Sequence, residues 1–564
     1  MEACDIRAPY TLVGFLLAGD KTISSSSGAC FSLRDYFSRA INFFLWISLV
    51  SISFLLSRKL ARLLRLWTIG SRIPGPPSPS FFSGHAKLLG ARGCGRDLTG
   101  YLSRLHENYG PIVRLWLGPT QLLVSVKDVA VIKEILIKAK DKYPLTGREF
   151  RLAFGRSNIF VSSFEKVQEG RNYLTTFMNE RLLERVNTVP LKVVECVLGR
   201  VESAMSKGIL DCRSLSQHVS FYILGAALFE EAFFNWSDAT LYEELLLMIS
   251  KDACYWASYK IPPFWRRKYW TYQFLCTKLR CLTQDIIQQC RYNSTITQIS
   301  QSSYEEVKSI GKLSGNGGAT LFGNLLSGNS SLNEGGKGHL VSTGEPFGDI
   351  LGMMFHGCST ITNLLCSILT RLVLHPELQL KIFSEIKEVQ QRTCNQDSYD
   401  VQKMPLLLAT VYESARLLPP GRLLQRCSLN HDLHLKWNIT VPAGAILVVP
   451  LELVQMDSSI WGEDAGHFNP HRFVVDSIDQ EGRSQEDGIL EPYKNAAYLP
   501  FGSGSRACLG KEFSVLGIST FFASLLLNYE VTLVPGSEND LNSTVNDRFQ
   551  PVPSPKITFM KRNS

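Results

Sequence analysis

A short glycine-rich segment near the carboxyl end contains the residue best suited to bind a metal. The segment Phe501–Gly510 reads Phe-Gly-Ser-Gly-Ser-Arg-Ala-Cys-Leu-Gly. A cysteine thiolate is a strong metal ligand, and backbone N–H groups and the amino terminus of a following helix favour it. Glycines let the backbone approach a flat ligand where a Cβ atom would collide. Cys508 is therefore the predicted metal ligand, with Gly504 and Gly510 at the positions of close approach.

The segment fits Phe-x-x-Gly-x-Arg-x-Cys-x-Gly at every fixed position, and it resembles the haem-binding loop of the cytochrome P450 family. The resemblance implies haem b with Cys508 as axial ligand, whose thiolate pushes electron density onto iron and favours cleavage of the O–O bond. Arg506 is then expected to pair with a haem propionate, and Phe501 to screen the sulfur from water.

Two upstream elements occur in the order that the family has them. Glu413-Ser-Ala-Arg416 matches Glu-x-x-Arg, and its i,i+3 spacing places both charges on one helix face. The segment Phe468–Phe473 resembles the family's Pro-Glu-Arg-Phe element, with His471 in place of the glutamate. The resemblance implies a buried network of Glu413, Arg416 and Arg472 that braces the core on the cysteine side of the haem.

Two further arginines are predicted to contact the haem propionates. Arg426 follows Pro419-Pro420, as the corresponding arginine does in the family. Arg171 ends the segment Val167-Gln-Glu-Gly-Arg171, the best match to the family's Trp-x-x-x-Arg element, in which the arginine is kept and the tryptophan is not.

The chain departs from the family at the residues expected beside bound dioxygen. The family carries Ala/Gly-Gly-x-Asp/Glu-Thr on its long central helix, whereas this chain reads His356-Gly-Cys-Ser-Thr360. Thr360 is the candidate for oxygen activation, and Ser359 replaces the acid. A serine–water relay through Ser359, or a protonated His356, would have to replace it. Gly357 is costly within a helix and fits a local widening there. His356 as a simple core residue remains the alternative.

Residues 40–57 form an uncharged apolar stretch. Ala40–Leu56 would span about 26 Å as a helix, slightly less than a ~30 Å hydrocarbon core. A signal peptide would lie at the extreme amino terminus and end in a small-residue cleavage site, and a buried helix would show a polar face. Because neither fits, we predict a transmembrane anchor at 40–57 after an N-terminal extension at 1–39.

Residues 58–80 form a basic segment followed by a proline-rich hinge. The residues just after the apolar stretch are strongly basic: Arg58, Lys59, Arg62, Arg65 and Arg72. The positive-inside bias places the carboxyl part in the cytoplasm, which predicts an endoplasmic reticulum membrane protein. The serine-containing extension at 1–39 leaves a plastid location as the alternative. Four prolines between 73 and 79 predict a stiff spacer.

The remainder, 81–564, reads as one large haem-thiolate domain in which helix dominates and the β portion is smaller. A long apolar helix is expected at Phe347–Leu374, and another from Pro376. The Ser-, Gly- and Asn-rich stretch 294–345 cannot bury enough apolar surface to order itself, which predicts a flexible surface loop. The resemblance implies the cytochrome P450 fold behind an N-terminal transmembrane helix.

The composition excludes some function classes. A net charge of +8, from 59 basic and 51 acidic residues, is too small an excess to indicate nucleic-acid binding. Fourteen cysteines without Cys-x-x-Cys spacing indicate reduced, mostly buried thiols in a domain that faces the cytosol.

The leading interpretation is a monooxygenase that inserts one oxygen atom of dioxygen into a hydrophobic small molecule. Its electrons would come from NADPH through a partner reductase. Because the acid is missing at Ser359, an isomerase, dehydratase or peroxide-using enzyme without a proton relay is the second interpretation. A non-catalytic haem protein is the third.

Overall fold

The computed structural model describes residues 33–85, 98–142, 159–160, 163–177, 192–193, 196, 210–229, 231–257, 263–305, 347–392, 400–475, 488–489, 492–537, 544–545 and 552–562. The chain separates into two compact units, Met1–Leu64 and Arg65–Ser564.

Helix α1 (Leu33–Gly70) contains the predicted anchor. Its part Phe37–Gly70 is long and apolar enough to cross a membrane, and its most apolar portion is not buried within the protein. The helix continues through the basic residues to Gly70, because leucine, arginine and lysine are good helix formers and no proline occurs between Leu33 and Pro74. The first part of the segment 58–80 is therefore helical.

Helices dominate the second unit, as predicted. Those before the central helix are α2 (Leu98–Tyr109), α3 (Val129–Lys138), α4 (Phe164–Phe177), α5 (Cys212–Phe229), α6 (Glu231–Phe234), α7 (Ala239–Ala257) and α8 (Arg267–Glu305). The central helix and those that follow are α9 (Phe347–Leu374), α10 (Pro376–Arg392), α11 (Pro405–Leu417), α12 (Leu451–Gln455), α13 (Ser458–Trp461) and α14 (Lys511–Asn528).

The strands form small sheets. A four-stranded sheet has the order β1 (Ile112–Trp116), β2 (Leu122–Val126), β7 (Ile446–Pro450) and β4 (Leu423–Arg426), and only its β2–β7 pair is parallel. A three-stranded antiparallel sheet has the order β10 (Tyr529–Leu533), β13 (Lys556–Lys561) and β3 (Leu210–Asp211). The two-stranded antiparallel pairs are β5 (Leu433–Leu435) with β6 (Ile439–Val441), β8 (Val474–Val475) with β9 (Gly488–Ile489), and β11 (Thr544–Val545) with β12 (Val552–Pro553).

The packing of α9 against α5 forms the centre of the core. A Cβ atom on Gly357 would lie 2.7 Å from Cδ1 of Leu224, so the glycine lets α5 approach closely. One turn further along, the buried hydroxyls of Ser220 and Thr362 are 2.8 Å apart. The helix is continuous α-helix from 347 to 374, so the widening predicted at Gly357 does not occur and helix packing explains this residue.

Gln379 on α10 closes one edge of the three-stranded sheet. Its side chain is buried, its Oε1 accepts a hydrogen bond from the N–H of Val531 (2.8 Å), and its Nε2 donates to the carbonyl of the same residue (3.0 Å). The side-chain amide thus makes the two hydrogen bonds that a neighbouring strand would make.

The prediction of a flexible loop at 294–345 is wrong at its beginning. Helix α8 continues to Glu305, because the serines, threonines and glutamines after 293 extend an existing helix rather than nucleate a new one. The rest of that stretch, 306–345, lies outside the described residues, as does most of the predicted extension at 1–39.

Candidate haem-thiolate site

The predicted ligand loop is closed by its own backbone and leads directly into α14. The N–H of Cys508 donates to the carbonyl of Phe501 (2.8 Å), and the N–H of Ala507 donates to Gly504 (3.0 Å). The N–H of Ser514 donates to Gly510 (2.8 Å), which begins the helix. Cys508 therefore precedes a helix amino terminus.

The two predicted close-approach glycines differ in what surrounds them. Gly504 has φ +72°, and a Cβ atom there would lie 2.6 Å from the carbonyl oxygen of Leu136 on α3. Contact with α3 therefore requires this glycine, and no flat ligand is needed to explain it. Among the described residues, only Oγ of Ser514 would lie within 4 Å of a Cβ atom on Gly510, at 3.9 Å, so contacts within this part of the chain do not account for Gly510.

Cys508 is accessible to a water-sized probe although protein atoms surround it densely. Burial is the largest influence on the thiol and raises its pKa. The N–H of Gly510 and the cations of Arg171, Lys142 and Lys511 act in the opposite direction but are outweighed. The N–H group and the cations therefore do not stabilise the thiolate enough to offset its burial. A coordinated metal ion would supply the missing stabilisation.

Four basic side chains from separate elements gather beside this loop. Arg171 comes from α4, Arg426 from the end of β4, Arg506 from the loop itself, and Lys142 from the segment after α3. Burial and then repulsion by Arg506 and Arg171 lower the pKa of Arg426 to about 10. Burial and then repulsion by Arg171 lower the pKa of Arg506 to about 10. Burial and then the three arginines lower the pKa of Lys142 to about 7. The clustered positive charges therefore favour the binding of anions.

Two of the arginines are held by carbonyl oxygens. Nη2 of Arg171 donates to Ala507 (2.7 Å), which ties α4 to the loop. Arg506 donates from Nε to Lys140 and from Nη1 to Ile159, both at 3.1 Å. These bonds fix Arg506 between the loop and the segment after α3.

Arg426 is the exception in this cluster. Its side chain is 2% exposed, and Nη1 donates to the carbonyl of Gln425 (2.9 Å). Within the described part of the chain, nothing accepts a hydrogen bond from Nη2, which lies 3.9 Å from where a Cβ atom on Gly502 would be. A buried charged donor without a partner is costly, so this nitrogen indicates an anionic ligand beside the loop.

One short stretch of helix α9 is exposed, although the residues on both sides of it are buried. Its residues are buried at 350–355 and again at 361–370, but Ser359 and Thr360 are exposed and His356 is partly exposed. Exposure in the middle of a core helix indicates an internal cavity. Lys142 lowers the pKa of His356 and itself responds to Cys508, which connects this part of α9 electrostatically to the ligand loop.

His356 is neutral near neutral pH, which disfavours the alternative of a protonated His356 and leaves the serine–water relay and the core-residue alternative. Burial, and then the positive charge of Lys142, lower the pKa of His356 to about 3. Its ring packs 4.8 Å from the ring of Phe160. The hydroxyl of Thr360 donates to the carbonyl of His356 (2.8 Å), so the lone pairs of Oγ1 remain able to accept.

Glu413, Arg416 and Arg472, the residues of the predicted charge network, lie close together. Glu413 and Arg416 are fully buried and form two parallel hydrogen bonds of 2.7 and 2.8 Å. Arg416 also donates to the carbonyls of Gln455 (2.5 Å) and Ala465 (2.7 Å). Nε of Arg472 lies 3.7 Å from Glu413.

Comparison with known proteins agrees with this geometry. The family model described as Cytochrome P450 matches residues 74–559. The chain belongs to the cytochrome P450 family. The 11-oxo-beta-amyrin 30-oxidase of Glycyrrhiza uralensis is 32% identical over 219 residues, which is 38% of this chain and 39% of that protein. In such higher-identity matches the chain spans about two-fifths of the relative's length.

Longer alignments extend to more distant cytochromes P450. Cytochrome P450 72A397 of Kalopanax septemlobus is 26% identical over 77% of this chain and 78% of its own length. Probable cytochrome P450 313a4 of Drosophila melanogaster is 26% identical over 86% of this chain and 91% of its own length.

The residues beside the loop fit the haem that members of the cytochrome P450 family bind. Haem carries two propionates, and the cluster offers several buried cations together with Nη2 of Arg426, which has no acceptor in the described part of the chain. Gly510, which contacts with the described residues do not explain, lies two residues after the thiol.

Sequence reasoning missed three residues that shape this site: Lys142, Asp349 and Phe160. Lys142 belongs to the basic cluster, and Asp349 accepts a hydrogen bond from the N–H of Ile159 (2.8 Å). That bond holds the segment whose Phe160 packs against His356. No motif or regular spacing in the sequence marks Lys142, Phe160 or Asp349. Residues 143–158 and 161–162 lie outside the described part of the chain.

Proposed function

We propose that this cytochrome P450 is a monooxygenase that inserts one oxygen atom of dioxygen into a hydrophobic small molecule. The observation that carries the proposal is the buried Nη2 of Arg426, to which none of the described residues offers an acceptor, in a basic cluster beside the Cys508 loop. Such a cluster is suited to the carboxylates of a haem whose iron is bound by the thiolate.

Cys508 would hold the iron, and Arg426, Arg506, Arg171 and Lys142 would hold the propionates. When bound, haem supplies activation of dioxygen and transfer of one oxygen atom. The Glu413–Arg416 pair and Arg472 are assigned a positioning role, because they connect α11 to the segment before the ligand loop without reaching it.

The residues of α9 would manage protons beside the cavity. Thr360 donates its hydroxyl proton to the carbonyl of His356, so it can accept a hydrogen bond without moving. To pass a proton on, its hydroxyl must rotate away from that carbonyl. Ser359 can relay but not supply a proton near neutral pH, which makes water the proton source in this proposal.

Electrons would come from NADPH through a partner reductase, as is general in the family. The name of the Glycyrrhiza relative describes an oxidase of 11-oxo-beta-amyrin, and such a compound supports a large hydrophobic substrate for this chain. Helix α1 supports a membrane location, because an anchored enzyme meets hydrophobic compounds in the bilayer.

For the domains we propose an extension at 1–39, an anchor at 40–57, a basic and proline-rich connection at 58–80 and the catalytic domain at 81–564. The basic residues after the anchor support a catalytic domain that faces the cytoplasm from the endoplasmic reticulum membrane. A plastid membrane is the alternative.

The test is the absorption spectrum of the reduced, carbon-monoxide-bound protein, in membranes, beside Cys508→Ser. We expect the long-wavelength Soret band of thiolate-bound haem in the unaltered protein and its loss in the variant. A spectrum typical of histidine-ligated haem in both proteins would overturn the proposal.

A second function is favoured by Ser359 and the neutral His356, because the described cavity residues on α9 include no acid at neutral pH. An isomerase, dehydratase or peroxide-using enzyme needs no such acid. Oxygen consumption with reductase and NADPH separates the two functions. Turnover that proceeds without reductase and without oxygen uptake would favour the second.

A further inference from the structure

Two buried cysteines meet where helix α5 begins against α9. Cys212 is the first residue of α5, and Cys366 lies in the second half of α9. Both residues are fully buried, and both thiols are free. Sγ of Cys366 lies 3.8 Å from the carbonyl oxygen of Cys212, although the two residues are 154 positions apart in the sequence. Tertiary packing alone therefore brings these thiols together.

The contact between the two thiols makes one of them more acidic than the other. A hydrogen bond from the Cys212 thiol, together with the positive charge of Arg213, lowers the pKa of Cys366. The same contact, followed by burial, raises the pKa of Cys212. Oxidants react with the thiolate rather than with the thiol. Cys366 is therefore the first nucleophile of the pair, and Cys212 is placed to attack the product.

Cys212 lies just beneath the surface, in the first turn of α5. Asp211 before it and Ser214 after it are exposed. Asp211 holds this turn by accepting hydrogen bonds from the N–H of Ser214 (2.9 Å) and from Oγ of Ser554 (2.6 Å). The ends of helices open locally more readily than their centres. Opening of this one turn would admit a molecule as small as hydrogen peroxide.

We propose that Cys212 and Cys366 are a redox pair that hydrogen peroxide converts into a disulfide between α5 and α9. The thiolate of Cys366 attacks one peroxide oxygen, so an S–O bond forms, the O–O bond breaks, and the leaving hydroxide takes up a proton to become water. Cys212, as thiolate, then attacks the sulfur of Cys366, so the S–S bond forms, the S–O bond breaks, and the second oxygen leaves as water. Two thiols thus lose two electrons and two protons, and one peroxide becomes two waters.

The source of the peroxide rests on the proposed function. Dioxygen that takes up two electrons and two protons without transferring an oxygen atom leaves as hydrogen peroxide. Ser359 stands in place of an acid and cannot itself supply a proton near neutral pH, which favours this loss over cleavage of the O–O bond. Disulfides in the cytosol are usually transient or redox-sensing. The pair would therefore respond to a by-product of the enzyme itself.

The disulfide would restrain the two helices that form the centre of the core. Cys366 follows Thr360 by six residues, about 9 Å along α9. The hydroxyl contact of Thr362 with Ser220 on α5 lies between these two positions. Linking residues that are 154 positions apart also removes conformational entropy from the unfolded chain. We therefore expect the oxidised protein to unfold at a higher temperature.

The test treats the full, haem-loaded chain with hydrogen peroxide, blocks the remaining thiols with N-ethylmaleimide, and identifies linked peptides by mass spectrometry. We expect a link between Cys212 and Cys366 and a higher unfolding temperature, which dithiothreitol reverses. Cys212→Ser and Cys366→Ser should each remove both effects. The control is Cys276→Ser, which changes another buried cysteine, on α8, and should remove neither effect. The haem absorption spectrum before oxidation verifies the folding of each variant.

The redox pair is overturned if peroxide oxidises the exposed Cys281 and leaves Cys212 and Cys366 unlinked. A second arm replaces the added peroxide with NADPH, dioxygen and a partner reductase, and follows oxygen uptake. We expect the same link to form there. A link with added peroxide, but no oxygen uptake in the second arm, would overturn the proposed function and not the redox pair, which keeps the two failures distinct.

Discussion

At the scale of single residues, the site depends on charges that the protein alone leaves unbalanced. Arg426, Arg506 and Arg171 lie close enough for each to disfavour the charge of another, and Nη2 of Arg426 has no acceptor among the described residues. Burying like charges is unfavourable unless an anion joins them. We therefore expect the cluster to contribute to haem retention more than to folding.

Replacing Arg426 by glutamine should weaken haem binding. A charge-assisted hydrogen bond contributes about 1.5–3 kcal/mol, which corresponds to roughly ten- to hundredfold faster haem loss. The measurement is transfer of haem to an excess of a haem-scavenging apoprotein, followed by absorbance. Arg422→Gln is the control, because Arg422 pairs with Glu452 (3.1 Å) outside the cluster. Equal rates for both variants would remove Arg426 from the haem site.

His356 should make the protein sensitive to acid. Its folded-state pKa of about 3 lies below its ordinary value, so the unfolded chain binds a proton more readily between those values. Its contribution is thus fully present above pH ~6.5 and declines as the pH falls towards 3, by at most about 1.4 kcal/mol per pH unit. Unfolding followed by fluorescence should show a weaker pH dependence in His356→Asn. The control is His431→Asn, which changes an exposed histidine. If both variants alter the pH dependence of unfolding equally, the assignment of this dependence to His356 is refuted.

At the scale of elements, α11 is fixed to the chain before the ligand loop by the Glu413–Arg416 pair. Arg416 binds carbonyls of Gln455 and Ala465, and its guanidinium lies 5.1 Å from the ring of Trp461. A buried pair of this kind adds little stability over apolar packing, yet removing one partner leaves an unpaired charge.

Glu413→Gln should therefore destabilise the fold by about 3–5 kcal/mol. The control is Asp464→Asn, which removes a carboxylate that lies 2.7 Å from Arg472. The side chain of Asp464 is 48% exposed, so solvent screens this pair and its loss should destabilise the fold much less than Glu413→Gln. Urea unfolding followed by tryptophan emission compares the two. A small loss for Glu413→Gln would mean that the network does not brace this region.

The sequence predicted the parts of the site that lie on regular spacing. Cys508 and its glycines, and Glu413 with Arg416, follow from fixed intervals within one element. Lys142 and Asp349 could not be found in this way, because tertiary packing alone brings them to the site. The charge of His356 could also not be predicted from the sequence, because burial and the cation of Lys142, which is distant in sequence, determine it.

At the scale of the whole molecule, the proposed orientation can be tested through five Asn-x-Ser/Thr sites, at Asn235, Asn293, Asn329, Asn438 and Asn542. The first two and Asn438 are exposed, so burial would not prevent glycosylation. If the domain faces the cytoplasm, none should carry a glycan. Expression in eukaryotic cells followed by glycosidase digestion and gel mobility provides the measurement.

The control for this experiment is Ser24→Asn, which creates a new site before the anchor. We expect only this variant to migrate more slowly in the gel, and we expect glycosidase digestion to restore its mobility. Glycans on the unaltered chain would reverse the proposed orientation.

The side chain of Gln379 has a consequence for the solubility of the molecule. An open sheet edge can pair with the edge of another copy, which is a common route to aggregation. Because one glutamine occupies both the N–H and the carbonyl of Val531, strand β10 offers no free backbone pair at that point. Both residues are buried, so an apolar residue of similar size at 379 would keep the packing but leave these two backbone groups inside the protein without partners. The edge would then be exposed whenever the weakened fold opens, and the cost would appear as insoluble protein during expression rather than as altered chemistry.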